Sequence, residues 1–252
     1  GFFNGSFFRP KNGDDDYNKC MGKSIEFLSE LGFLRTQTPS KIAATPSVKN
    51  IRVVCVGDSI TAGPYPNMLQ KELGKGWVVV NCGKGGATVI EGTLRPYHKL
   101  PQYQKALTSN PDVVIIMLGT NDANPRWWDD VKRKTSFDGT PAQEFRRRYL
   151  TLIESFQKLP TQPRIILATP MPIFPELNKG QVGRRLHLLD EVIPIIHQIA
   201  KEPQMQLVDL QTVMKDQKTN CIDGVHYNKA GYLAMAKCLK VALINNGIST
   251  RQ

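Results

Sequence analysis

The sequence of 252 residues contains no apolar run near the ~20 residues that a membrane span needs. Its longest candidates, Val113–Leu118 and Ile165–Ala168, have the length of buried strands. No transmembrane segment is expected. Cysteine is sparse: the 5 residues stand far apart at 20, 55, 82, 221 and 238, without the short paired spacing of a zinc site or redox motif, so no metal site is expected. Cys55 and Cys82 fall in strand-like runs, where a free thiol behaves as a small core hydrophobe, whereas Cys20, Cys221 and Cys238 could supply one disulfide. No Gly-x-Gly-x-x-Gly dinucleotide pattern and no phosphate loop ending in Lys-Ser/Thr occurs, and no cofactor is called for. Internal repeats and low-complexity tracts are also missing.

Acidic residues are in deficit, with 22 Asp and Glu against 33 Lys and Arg, for a formal net charge of +11. The basic residues are scattered from Arg9 to Arg251, with short clusters only at Lys132–Lys134 and Arg146–Arg148, and no nucleic-acid fold signature accompanies them. A solvated basic surface is the expectation, and a nucleic-acid partner is not. The chain opens Gly-Phe-Phe without an initiator Met or a basic-then-apolar leader, which reads as a trimmed or processed product. The compartment stays open, an extracytoplasmic one being favoured, and oligomeric state is not legible.

What is present is a composition for one well-buried core: 40% hydrophobic and 22% charged residues. Residues 1–49 read as an N-terminal extension, with a short helix over Lys23–Leu34 and a linker near 37–50 that carries two prolines and many small polar residues. From about Asn50, strand-length runs at Ile51–Val56, Trp77–Asn81, Val113–Leu118, Arg164–Ala168 and Gln206–Val208 alternate with helical patterns. The helical stretches are Pro66–Leu73, Gln102–Ser109, Ala142–Leu159, Arg184–Ala200 and Lys229–Ile244. Such alternation implies parallel β-α-β crossovers, hence a three-layer α/β/α sandwich around a five-stranded parallel sheet spanning residues 50–252. Ligands in such sheets bind beyond the carboxyl ends of the strands.

Four segments arrive at that edge. The first strand ends in Gly57-Asp58-Ser59-Ile60, a serine in a turn, although Asp58 and Ser59 also suit a plain helix cap. The second ends in Asn81-Cys82-Gly83-Lys84-Gly85-Gly86, whose backbone amides can approach a ligand closely for want of Cβ atoms. The third ends in Gly119-Thr120-Asn121-Asp122 and brings a side-chain amide, so three donors converge as an oxyanion requires. Before the last helix, Asp223-Gly224-Val225-His226 supplies a carboxylate that could orient an imidazole; a surface histidine beside a capping Asn228 is the plainer reading.

In this order the four blocks resemble the SGNH/GDSL hydrolases, over about residues 51 to 245. The resemblance implies a flavodoxin-like SGNH hydrolase fold and a serine esterase with nucleophile Ser59, base His226 and its partner Asp223. It also implies an oxyanion hole from the Ser59 and Gly86 amides and the Asn121 side chain, with Gly83 and Gly85 as fallback donors. Ile60 stands where the family's usual name has Leu. Within the family, Asn121-Asp122-Ala123-Asn124-Pro125-Arg126-Trp127-Trp128, Thr169-Pro170-Met171-Pro172 and Ile193-Pro194-Ile195-Ile196 look like the carbohydrate and sialate O-acetylesterase-like branch. Acetyl esters on a glycan or small molecule are the implied substrates. Trp127 and Trp128 are candidate site walls, although core packing suits at least one of them better. Asp58 is a further substrate contact, and Arg184 or Arg185, more plainly read as part of a solvent-facing loop, could contact an acidic glycan. A lysophospholipase or thioesterase, and a silent carbohydrate-binding homologue, are the competing readings.

Overall fold

Three strands of this sheet are almost wholly apolar, which a strand tolerates only when helices cover both of its faces. The computed structural model, described here for residues 50–93, 95–130, 137–245 and 247–248, has that arrangement. Strands β1 (Ile51–Gly57), β2 (Trp77–Gly83), β3 (Val113–Met117), β4 (Arg164–Ala168) and β5 (Met205–Val208) form one parallel sheet in the order β2-β1-β3-β4-β5. This is the flavodoxin-like order, and its topological switch point lies between β1 and β3. The helix and linker expected before residue 50 lie outside the described residues, as does the Lys132–Lys134 cluster.

Alternate residues of β1 point to opposite faces, and the core divides accordingly. Val54 and Val56 join Val114 and Ile116 beneath the helices Pro101–Thr108, Pro141–Gln157 and Ile193–Ile199. Val53 and Cys55 join Val113, Ile115 and Ile166 beneath the helices Tyr65–Leu73 and Lys229–Asn245. In chain order we number the helices α1 (Ser59–Ala62), α2 (Tyr65–Leu73), α3 (Pro101–Thr108), α4 (Pro125–Trp128), α5 (Pro141–Gln157), α6 (Val182–His187), α7 (Ile193–Ile199), α8 (Leu210–Val213) and α9 (Lys229–Asn245). The entry to α5 is a capping box, Thr140 and Gln143 each accepting from the other's backbone amide.

One expected element is broken. The pattern read as a single helix over Arg184–Ala200 is α6, a π-helical turn at Leu188–Val192, and α7. Pro194 has no N–H for the carbonyl of Asp190, and its ring would crowd that carbonyl in a regular helix. The Ile193 amide bonds to the Leu188 carbonyl instead, five residues back. α4 and α8, of four residues each, are too short for helical periodicity to announce.

Candidate active site

β1 delivers its last residue, Gly57, between Gly83 of β2 and Met117 of β3, so the next side chains stand at the switch point. Asp58 caps the single turn α1, its Oδ1 accepting from the Ile60 amide at 2.9 Å. Ser59 is the first helical residue and half-buried, and its Oγ lies 2.9 Å from His226 Nε2.

The imidazole comes from a loop closed by a bridge between Cys221 and Tyr227 and by the Ile222 amide donating to the His226 carbonyl at 2.7 Å. Within it, Asp223 Oδ1 accepts from the Val225 amide at 2.9 Å and the His226 amide at 2.7 Å, while Oδ2 lies 2.8 Å from His226 Nδ1. Partial burial pushes the Asp223 carboxyl upward, but the bonds from the His226 amide, the ring and the Val225 amide outweigh it and hold the group at about 2. An ionised Asp223 accepts from Nδ1–H, which leaves Nε2 as the acceptor for the Ser59 hydroxyl.

The donors face the same point from the other side. The chain turns out of β2 so close to α1 that a Cβ on Gly83 would stand 2.2 Å from the Ala62 amide nitrogen, so only glycine fits. Gly86 sits at φ +74, and among the described residues neither its amide nor that of Ser59 donates to a protein acceptor. Asn121 spends one amide hydrogen on the Ala87 carbonyl at 3.1 Å, which leaves the other for a ligand. Of the fallback donors, Gly83 is committed to Asn81 Oδ1 at 2.9 Å, whereas the Gly85 carbonyl accepts from Arg95 Nη1 at 2.6 Å and the Gly85 amide, like that of Gly86, donates to no protein acceptor among the described residues.

Asp122, next to Asn121, supports the site in a way the sequence does not disclose. It is fully buried, and its Oδ1 accepts from the Val89 and Ile90 amides at 2.8 and 2.9 Å. Asn121 and Asp122 thus grip the loop after β2 at Ala87, Val89 and Ile90, fixing the Gly86 amide relative to the Asn121 side chain. Burial pushes the Asp122 carboxyl up to about 7 against those two hydrogen bonds, and the Asp58 carboxyl to about 6.

Two expected substrate contacts are corrected. Asp58 is 1% exposed and serves as an internal cap. Trp128 is also 1% exposed: it packs on Phe145 and His187, and its indole N–H donates to Glu191 at 2.8 Å. Trp127 is half-buried with the Arg126 guanidinium 5.0 Å above its ring. Arg184 is half-buried within electrostatic reach of Asp58 and Asp223, whereas Arg185 is exposed. Cys55, Cys82, Cys221 and Cys238 are free thiols, so Cys221 and Cys238 do not pair with each other; Cys20 lies outside the described residues. Burial pushes the Cys55 thiol up to about 12 and the Cys82 thiol to about 11, as expected of core cysteines. Among the described residues no group of three or more His, Cys, Asp and Glu could hold a metal ion, and no helix is long and apolar enough to cross a membrane.

Residues 55–234 match the GDSL-like lipase/acylhydrolase family. The chain belongs to that family. All four sequence blocks lie within the match. The acetylxylan esterase of Xylanibacter ruminicola is 30% identical over 240 residues, an alignment that covers 86% of this chain and 47% of that protein. The chain therefore spans about half the length of this curated relative. Among solved structures, the lipase/acylhydrolase from Enterococcus faecalis aligns with a TM-score of 0.61 at 19% identity, covering 80% of this chain and 99% of the other. Est24, a carbohydrate acetylesterase from Sinorhizobium meliloti, aligns at 0.59 and 18% identity, covering 78% and 100%. The acetyl xylan esterase AlAXEase aligns at 0.58 and 24% identity, covering 77% and 100%. At these identities the structures show a shared GDSL-type α/β/α fold.

Proposed function

We propose that this protein is a serine carboxylic ester hydrolase that removes acetyl groups from carbohydrates through an acyl-enzyme at Ser59. The observation that carries the reading is the unbroken relay from Ser59 Oγ through His226 to Asp223, at 2.9 and 2.8 Å, beside the unengaged Ser59 and Gly86 amides. The relative from Xylanibacter ruminicola is an acetylxylan esterase, which supports a carbohydrate acetyl ester as substrate.

In the first half-reaction Ser59 Oγ attacks the ester carbonyl while its proton passes to His226 Nε2. The oxyanion that forms is met by the Ser59 amide, the Gly86 amide and Asn121 Nδ2, which are fixed before the reaction begins. The tetrahedral intermediate collapses by breaking the bond to the sugar oxygen, which takes the proton back from His226. Water, deprotonated by the same imidazole, then attacks the acetyl-serine and releases acetate. Asp223, ionised throughout, stabilises the imidazolium in both halves.

A longer acyl chain is the second reading. It is favoured by the exposed apolar side chains Leu177, Val182 and Ile222 on the segments flanking the catalytic loop. Acetate release from acetylated xylan and other acetylated glycans, measured beside 4-nitrophenyl acetate and 4-nitrophenyl octanoate, decides between the two. Ser59-dependent acetate release with little octanoate cleavage supports the acetylesterase, preference for octanoate supports the lipid or thioester hydrolase, and no turnover would leave a silent binding homologue.

A further inference from the structure

Deacetylating a polymer requires that the chain of sugars continue past the ester-bearing residue, along the same edge of the sheet. Beyond the carboxyl ends of β4 and β5 that edge carries a groove of about 370 Å³, lined by the turn Pro172–Phe174 together with Arg185, Gln211, Lys215 and Lys218. The turn is a wall shared with the catalytic loop. The Phe174 amide donates to the Gly224 carbonyl at 2.9 Å, and the Tyr227 hydroxyl donates to the Pro172 carbonyl at 2.7 Å. Gly224 and Tyr227 flank His226 in sequence, so the groove borders the imidazole end of the site.

Its charge is uneven. Arg185, Lys215 and Lys218 face two carboxylates, Glu176 and Asp216, and among the described residues none of the three cations takes part in an ion pair. Elsewhere in the fold Lys99, Arg147 and Arg148 are each paired with Glu91 or Glu144. A surplus of unpaired, solvent-exposed cations along a concave wall attracts an anion in a salt-dependent way, and a guanidinium is suited to a carboxylate. Gln211 also lines the groove; its Oε1 is an acceptor without a partner among the described residues, suited to a sugar hydroxyl and not to the carboxylate. Charge and position together select a carboxylate carried on a sugar.

We propose that this groove is a glycan subsite for a uronic acid residue or side group lying next to the acetylated sugar, held by Arg185 and Lys215. The proposal rests on reading the site as a glycan-ester hydrolase, and its test is separable from that reading because it measures binding without turnover. Titration calorimetry with the Ser59→Ala protein should compare a non-acetylated xylo-oligosaccharide carrying glucuronic acid with its neutral counterpart of equal length. The acidic oligosaccharide is expected to bind about tenfold tighter at low salt, with the preference shrinking as salt rises and vanishing in Arg185→Ala/Lys215→Ala. In otherwise wild-type protein this double variant keeps its turnover of 4-nitrophenyl acetate, which reports an intact fold and triad. Equal binding of the two oligosaccharides, binding of neither, or a preference that survives the double variant overturns the subsite, whatever the outcome of acetate release by Ser59.

Discussion

Replacing Asp122 by Asn should make the protein more stable in alkaline solution and a poorer catalyst. The carboxyl is fully buried and titrates at about 7, against an ordinary value of 3.8. Because burial raises it, the folded state holds the proton between pH 4 and pH 7 while the unfolded state has lost it. Stability associated with the neutral form is therefore full below pH 4 and is lost as pH rises through 7. A shift of that size corresponds to about 4 kcal/mol. Asn is neutral and nearly isosteric, so it removes the term: the variant should match the wild type at pH 4 and melt roughly 10 °C higher at pH 8. The same charge strengthens the bonds from the Val89 and Ile90 amides, each of which weakens by about 1 kcal/mol when the acceptor becomes neutral. With the loop that carries Gly86 held less firmly, kcat should fall about tenfold at pH 8 with KM nearly unchanged. Thermal melts by circular dichroism at the two pH values, with initial rates on 4-nitrophenyl acetate, make the check. A melting difference that does not depend on pH, or a variant less stable at pH 8, refutes the reasoning.

Asp223→Asn should leave the fold intact and lower kcat by about three to four orders of magnitude, because the His226 tautomer that accepts from Ser59 is no longer enforced; a rate within tenfold of wild type, read by initial velocities, would contradict this. Trp128→Phe should cost about 2 kcal/mol in urea unfolding while KM for acetylated glycan stays put, since the indole fills core and donates to Glu191; a raised KM at unchanged stability would return Trp128 to the substrate wall. Gly83→Ala forces a Cβ to 2.2 Å from a backbone nitrogen and should destabilise by about 3 kcal/mol or more, whereas Gly85→Ala, whose nearest neighbour is Ser59 Cβ at 3.9 Å, should fold normally; similar melting temperatures for the two would be inconsistent with this packing.

The parallel sheet was legible because its strands are apolar on both faces and its helices carry their own periodicity. The expected runs meet the observed strands to within two residues at each end, as with Trp77–Gly83 against Trp77–Asn81. The π-helical turn was not legible, because Leu188, Val192, Ile195 and Ile199 keep an apolar stripe through it and only Pro194 marks the break. In the site, Ser59, Asn121 and His226 were readable from their places after strands and before a helix. Asp122 was not, because its role depends on the Val89 and Ile90 amides more than thirty residues earlier, a pairing that exists only once β1 and β3 lie side by side. Which of Trp127 and Trp128 belongs to the core was not legible either: Trp128, six residues beyond the strand-end motif, reads equally as a site wall until Glu191 on the π-helical turn is seen to take its N–H.

The central claim is that the ester's acyl group passes through Ser59. Wild-type protein mixed rapidly with 4-nitrophenyl acetate, quenched in acid within the burst phase and digested, should carry an acetyl group on Ser59 by peptide mass spectrometry, and Ser59→Ala should show neither the burst nor the adduct. An acetyl group found on another residue, or undiminished turnover by Ser59→Ala, would contradict the account.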